Sequence, residues 1–148
     1  MIYGTTRFGN LEIAEDEIVF FPEGLIGFSQ NKKYFIIQHD GQSPFSWLQS
    51  LDESHLAYVI IEPQVFCYDY EIKVSREQLA PIDLQDLSLA KIYVVVVLSD
   101  RPEDITANLL GPIILNPENN LGLQVVLNTD KYFTRHRLMD ELQRQGGK

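Results

Sequence analysis

The sequence predicts a mainly β fold, a small antiparallel β-barrel-like or sandwich domain with a short C-terminal helix. Three observations carry that expectation. Short runs of β-branched and aromatic residues recur along the whole chain. Turn formers separate them at close spacing. Strand and helix patterns do not alternate, which argues against a doubly wound parallel sheet. With 148 residues, 45% of them hydrophobic and 11% aromatic, residues 1–148 can bury the core of one domain without covalent staples.

Taken in order, the strand patterns fall at residues 17–21, 34–39, 56–61, 70–74, 92–98 and 122–127. Weaker patterns occur at 11–14, 45–49 and 112–115. The run Ile92-Tyr93-Val94-Val95-Val96-Val97-Leu98 is apolar on both faces, so it is expected at the centre of the sheet. Turns are expected at Phe21-Pro22-Glu23-Gly24, His39-Asp40-Gly41 and Asn116-Pro117-Glu118-Asn119-Asn120. Gly24 and Gly27 permit positive φ in a tight, apolar loop. Ser75 followed by Gln78 has the form of a capping box, but Pro81 leaves room for only about one helical turn. That segment is read as a crossing between strands.

The helix is expected over residues 131–143. There Tyr132, Phe133, Leu138, Met139 and Leu142 form an incomplete apolar stripe broken by Arg135, His136 and Arg137, with Gly146-Gly147 as the stop.

Charge is distributed unevenly. The net value is −9, yet residues 1–130 carry seven basic and 19 acidic side chains, whereas residues 131–148 carry five basic and two acidic. A body near −12 repels phosphate, which argues against direct RNA or DNA binding. A β-barrel nucleic-acid-binding module, the alternative reading, needs a basic groove with stacking aromatics, and Lys32-Lys33 is the only adjacent basic pair before the tail. The same acidic body suits steering toward a basic protein. The N-terminus shows no signal-peptide core and the longest apolar run is too short to span a bilayer, so a cytoplasmic protein is expected. Cys67 is the single cysteine, which excludes an internal disulfide and a cysteine-based zinc site and reads as a buried, inert thiol.

No catalytic constellation emerges, and a small enzyme of unknown type is the remaining competitor. His39, His55 and His136 show no local signature beside a nucleophile. The Gly24 and Gly27 loop lacks a following Lys-Ser or Lys-Thr, so it is not a phosphate loop. The cluster Glu12, Glu15, Asp16, Glu17 and Glu23 lacks the ligand spacing of a calcium loop. No catalytic residue, metal site or cofactor is therefore expected. Trp47 is read as a core residue beneath a loop.

Several stretches taken together carry more. They are Phe8-Gly9-Asn10-Leu11-Glu12 with Glu15-Asp16-Glu17, then Phe21-Pro22-Glu23-Gly24-Leu25 leading to Gly27-Phe28, then Pro44-Phe45-Ser46-Trp47-Leu48-Gln49-Ser50. Downstream come Leu56-Ala57-Tyr58 before Glu62-Pro63, Asp69-Tyr70, Thr106-Ala107-Asn108-Leu109 with Gly111-Pro112-Ile113, residues 122–127, and Tyr132 before Arg135-His136. In this order and spacing the chain resembles the flagellar assembly factor FliW family over nearly its whole length. Two positions depart from the family pattern. Ile26 stands where proline is common, which is expected to soften the loop. Arg137 stands where a proline often follows Arg-His, which allows a longer terminal helix.

The resemblance implies a small β-barrel-like protein that binds and antagonises the translational repressor CsrA and also binds flagellin, so that flagellin level controls its own translation. It implies no catalysis. The partner surface is expected at Glu12, Glu15, Asp16 and Glu17 together with Leu25 and Phe28, where a charge run lies beside an apolar turn.

Overall fold

The computed structural model describes residues 1–38, 41 and 43–146, with side chains through Arg144. The His39-Asp40 part of the expected turn, the end of the expected 34–39 strand and the Gly147 stop lie outside the described residues.

The strands are β1 (Ile2–Thr5), β2 (Gly9–Glu12), β3 (Val19–Phe20), β4 (Lys33–Gln38), β5 (Phe45–Ser50), β6 (Ala57–Ile61), β7 (Lys91–Val97), β8 (Thr106–Ala107), β9 (Ile113–Asn116), β10 (Leu121–Gln124) and β11 (His136–Arg137). The helices are α1 (Arg76–Leu79) and α2 (Leu138–Gly146). β4 to β7 form an antiparallel meander. The first half of β7 pairs with β9, β9 pairs with β10, and β10 meets β3 in a parallel contact at Phe20 and Leu121. Since β3 pairs with β4, the seven strands β3–β7, β9 and β10 close into a barrel. Closure removes the free edges that an open sheet would present.

β7 is the hub, as its composition predicts. One edge pairs with β6 while the other serves β9 through Lys91–Tyr93 and then β8 through Val96–Val97. Both its faces are covered as well. Tyr34, Leu48, Ile60, Tyr93 and Ile113, from five strands, meet in one buried cluster that fills the ring. The alternate residues Val59, Ile61, Val94, Val96 and Ile114 join a second cluster with Phe66, Leu79, Ile82 and Leu84. The segment between β6 and β7 thus crosses the outside of the barrel and seals it, so these strands carry no polar face.

The crossing includes α1, whose capping box forms as the sequence indicates. The Gln78 N–H donates to Ser75 Oγ at 3.2 Å, and the Ser75 N–H donates to Gln78 Oε1 at 2.9 Å. The expected strand at 70–74 does not form. Tyr70 is buried and Ile72 and Val74 are half-buried, so the alternation is real, but it belongs to an extended segment without a ladder partner. The Tyr70 hydroxyl donates to Leu109 O at 2.6 Å and the Glu71 N–H donates to the Tyr132 hydroxyl at 3.0 Å, so side chains take the place of a neighbouring strand.

The weaker patterns at 11–14, 45–49 and 112–115 correspond to β2, β5 and β9, and β5 is paired along both edges. β1, β8 and β11 had no expected counterpart. The expected strand at 17–21 shrinks to β3, because Glu15–Glu17 form a short 3-10 turn in which the Glu17 carboxylate accepts the Ala14 N–H at 3.0 Å. Trp47 is half-buried beneath the β1–β2 hairpin, with the Arg7 guanidinium 4.5 Å above its ring and Phe8 edge-on at 5.7 Å.

The terminal helix begins at Leu138, seven residues later than expected. Tyr132 is drawn into the core against Tyr70, the ring centroids 4.7 Å apart, and β11 intervenes by pairing with β8. The Phe133 N–H donates to His136 Nε2 at 2.8 Å, so in the neutral ring Nδ1 carries the proton and donates to Glu141 at 3.2 Å. Arg144 then reaches Asp69 at 2.9 Å.

That ion pair predicts a titration. The hydrogen bond from Arg144, followed by one from Cys67, holds the Asp69 carboxyl at about 2 rather than 3.8. A lowered acid stabilises the fold above its unfolded value and loses that contribution as pH falls through its folded value. Its contribution to stability is therefore full above about pH 4 and declines as pH falls toward about 2, where the carboxylate of the folded protein is half protonated. A carboxyl-carbon NMR titration of the folded protein is expected to give Asp69 a midpoint near 2, and a midpoint near 3.8 would show that the pair does not form.

Candidate partner-binding surface

Two features flank β3. The first is the acidic turn that precedes it. Glu15, Asp16 and Glu17 are all exposed, and Asn120 Nδ2 donates to the Asp16 carbonyl, which ties this turn to the β9–β10 turn. That second turn is pinned in its own right. Asn116 Nδ2 donates to Ile82 O at 3.0 Å and to Asp83 O at 3.3 Å, and Asn119 Nδ2 donates to Ile82 O at 3.0 Å. Asp83 and Glu118 are thereby brought to the same end of the barrel as the acidic turn, and both are exposed. Among the described residues none of these five carboxylates has an ion-pair partner within 4.0 Å. Glu12, at the end of β2, has the N-terminal amine 3.6 Å away.

The second feature is the loop after β3. Phe21 is wholly buried and anchors it, and the Gly24 N–H donates back to Phe21 O at 2.9 Å. Gly24 and Gly27 take φ of +68° and +87°, the left-handed conformations read from the sequence. Between them Leu25, an expected contact residue, turns inward, is only 3% exposed and packs in the barrel core, so it offers little surface of its own. The loop presents Ile26 and Phe28 instead, 56% and 45% exposed.

Ile26 does not leave the loop slack. Its N–H, which a proline would lack, donates to Gln124 Oε1 at 2.9 Å, and Gln124 Nε2 donates to Gly111 O at 2.9 Å. One side chain on β10 therefore fastens the loop to the barrel wall. Beside Ile26 lies a groove of about 320 Å³ with Leu25, Tyr58, Val95, Leu110 and Val126 in its walls. The Phe28 ring stands edge-on to Tyr58 with centroids 6.1 Å apart. Burial pushes the Tyr58 phenol up to about 12, and burial with the neighbouring Tyr58 and Asp52 raises that of Tyr34 too. Both phenols stay neutral at physiological pH, so the charge of this region comes from its carboxylates and from Lys32, whose Nζ donates to Pro22 O at 2.6 Å, and Lys33, which pairs with Phe20 across β3 and β4.

The acidic turn and Phe28 were expected from the sequence; Asp83, Glu118, Ile26 and Gln124, which the fold places around them, were not. Nothing local to Asp83 or Glu118 marks them, because only the asparagine-pinned turn brings them beside residues 15–17. His55 and His136 lie near Glu53 and Glu141 respectively, and the described residues contain no group of three or more His, Cys, Asp or Glu able to hold a metal ion. No helix among the described residues is long and apolar enough to cross a membrane.

The fold and these surfaces define a small closed β-barrel protein with an acidic end and a presented apolar loop. A family model described as FliW protein matches residues 3–138, and the chain belongs to the FliW family. The flagellar assembly factor FliW of Ruminiclostridium cellulolyticum is 40% identical over 146 residues, covering 98% of this chain and 99% of that one. The flagellar assembly factor FliW of Caldanaerobacter subterraneus subsp. tengcongensis is 38% identical over 143 residues, covering 96% and 95%. A crystal structure of the flagellar assembly factor FliW superposes with a TM-score of 0.86 at 34% identity, over 93% of this chain and 96% of that one.

Proposed function

We propose that this protein is a cytoplasmic flagellar assembly factor that works by binding other proteins. Its partners are CsrA, which it antagonises, and flagellin, whose level it couples to translation. It needs no cofactor and catalyses no reaction. The observation that carries the CsrA part is the concentration of Glu15, Asp16, Glu17, Asp83 and Glu118 at one end of the barrel, the first three close in the chain to the exposed Ile26 and Phe28. An RNA-binding regulator presents cationic surface to phosphate, and an acidic face both attracts that surface and repels RNA from it. The apolar residues supply contact area that charge alone does not.

Release needs only mass action. A partner that competes for the surface, or that binds elsewhere and lowers its affinity, shifts the population of the first complex by a factor set by its concentration and, exponentially, by the difference in binding free energy. The test is calorimetry of the purified protein with CsrA and with flagellin from the same organism, followed by titration of flagellin into the preformed CsrA complex. Binding of both with loss of CsrA on flagellin addition is expected; binding of neither would refute the assignment.

A further inference from the structure

The end of the chain is held almost entirely by polar contacts. α2 has nine residues, too few for an isolated helix to persist in water. Of its side chains through Arg144 only Leu138 is buried; Glu141 is half-buried, and Met139, Asp140, Leu142, Gln143 and Arg144 are exposed. At its start the Leu138 N–H donates to Ile105 O at 3.0 Å. One turn on, Glu141 accepts from His136 at 3.2 Å and from Arg144 Nη2 at 3.0 Å. Arg144 then crosses to the segment after β6, where Nη1 and Nη2 donate to the two oxygens of Asp69 at 3.2 and 2.9 Å.

Beneath this guanidinium lies the only thiol of the protein. Cys67 is 1% exposed, its Sγ 3.7 Å from Arg144 Nη2 and 3.5 Å from Asp69 Oδ1. Burial, then the hydrogen bond to Asp69, pushes the thiol up to about 11.

We propose that α2 is a strap that opens within the folded protein and gates access to Cys67, with the Arg144–Asp69 pair as its catch. The two partners of the catch are about half exposed, at 50% and 55%. Exposed ion pairs hold weakly and are screened by salt, although a forked arginine contact is firmer than a single one. With one buried side chain behind it, the strap belongs to the parts of a protein that open far more often than the whole molecule unfolds. The barrel does not depend on it, because its ring closes through β3–β7, β9 and β10 alone.

The experiment follows the reaction of Cys67 with excess iodoacetamide in the full-length protein at low ionic strength. Arg144→Ala is expected to speed labelling about five- to tenfold, with Asp69→Asn acting in the same direction, while the urea midpoint of global unfolding stays near that of the parent. Raising salt to about 0.5 M is expected to speed labelling of the parent and to leave Arg144→Ala nearly unchanged. Below the unfolding transition, the parent rate is expected to rise only shallowly with urea, since local opening exposes little surface. Labelling that tracks global unfolding with its full urea dependence would overturn the proposal, as would a parent rate indifferent to salt. The parent protein alone decides these last two points, so the test stands even if a variant folds poorly.

Discussion

Gly24→Ala is expected to destabilise the protein by about 2–4 kcal/mol. Two costs combine. At φ +68° an alanine occupies the left-handed region, at about 1–2 kcal/mol. A Cβ on Gly24 would also lie 2.6 Å from Ser29 Cα, 2.7 Å from its carbonyl oxygen and 2.8 Å from its carbonyl carbon. Those are backbone atoms, so no side chain can rotate away, and the two limbs of the loop must separate.

Gly27→Ala is the matched control. It too has positive φ, +87°, but nothing lies within 4 Å of its Cβ position, so only the conformational cost of about 1–2 kcal/mol applies. Urea denaturation of the two variants separates the effects. Equal losses would show that close approach to Ser29 does not shape this loop. Because Ile26 and Phe28 ride on the loop, Gly24→Ala is also expected to weaken partner binding at temperatures where the barrel remains folded.

Reversing the charge of the acidic turn, with Glu15, Asp16 and Glu17 all changed to Lys, is expected to weaken CsrA binding about 10- to 100-fold at low salt. Each substitution removes an attraction and adds a repulsion, and the loss is expected to fall mainly on the association rate and to shrink as salt rises. Folding should suffer little, since the three side chains are exposed and only Glu17, which accepts the Ala14 N–H, contributes a local bond. Reversal of Glu71, an exposed carboxylate on the crossing segment, serves as a single-site control that carries one third of the charge change. Unchanged CsrA affinity in the triple variant, measured by calorimetry and stopped-flow mixing, would remove the acidic end from the proposed interface.

Much of the architecture was legible because its signals are local. The seven-residue apolar run of β7 marked a strand covered on both faces, and Gly24 and Gly27 marked positive φ. Ser75 and Gln78 marked a helix start that Pro81 cut short. The failures share one cause. The 70–74 segment has the alternation of a strand, and the stripe over 131–143 contains helix formers, but periodicity reports which side chains are buried and not which backbone groups are paired. The Tyr132 hydroxyl accepts the Glu71 N–H, the Tyr70 hydroxyl donates to Leu109 O and the two rings pack together, so neither region adopts the element its pattern suggested.

By itself the sequence determined a strand-rich chain with a core, a strongly acidic body, the glycine loop and the residues that place the chain in its family. Ring closure was decided only in three dimensions. It depends on Phe20 meeting Leu121 and on β7 pairing with β9, contacts between residues far apart in the chain. The same holds for the inward turn of Leu25, the tether from Gln124 to Ile26 across 98 positions, and the arrival of Asp83 and Glu118 beside Asp16. Local pattern selects which residues seek burial or a turn, while the direction of each side chain and the neighbours of each charge follow from how distant segments pack. That is why the fold class was readable in the sequence and the composition of the surface was not.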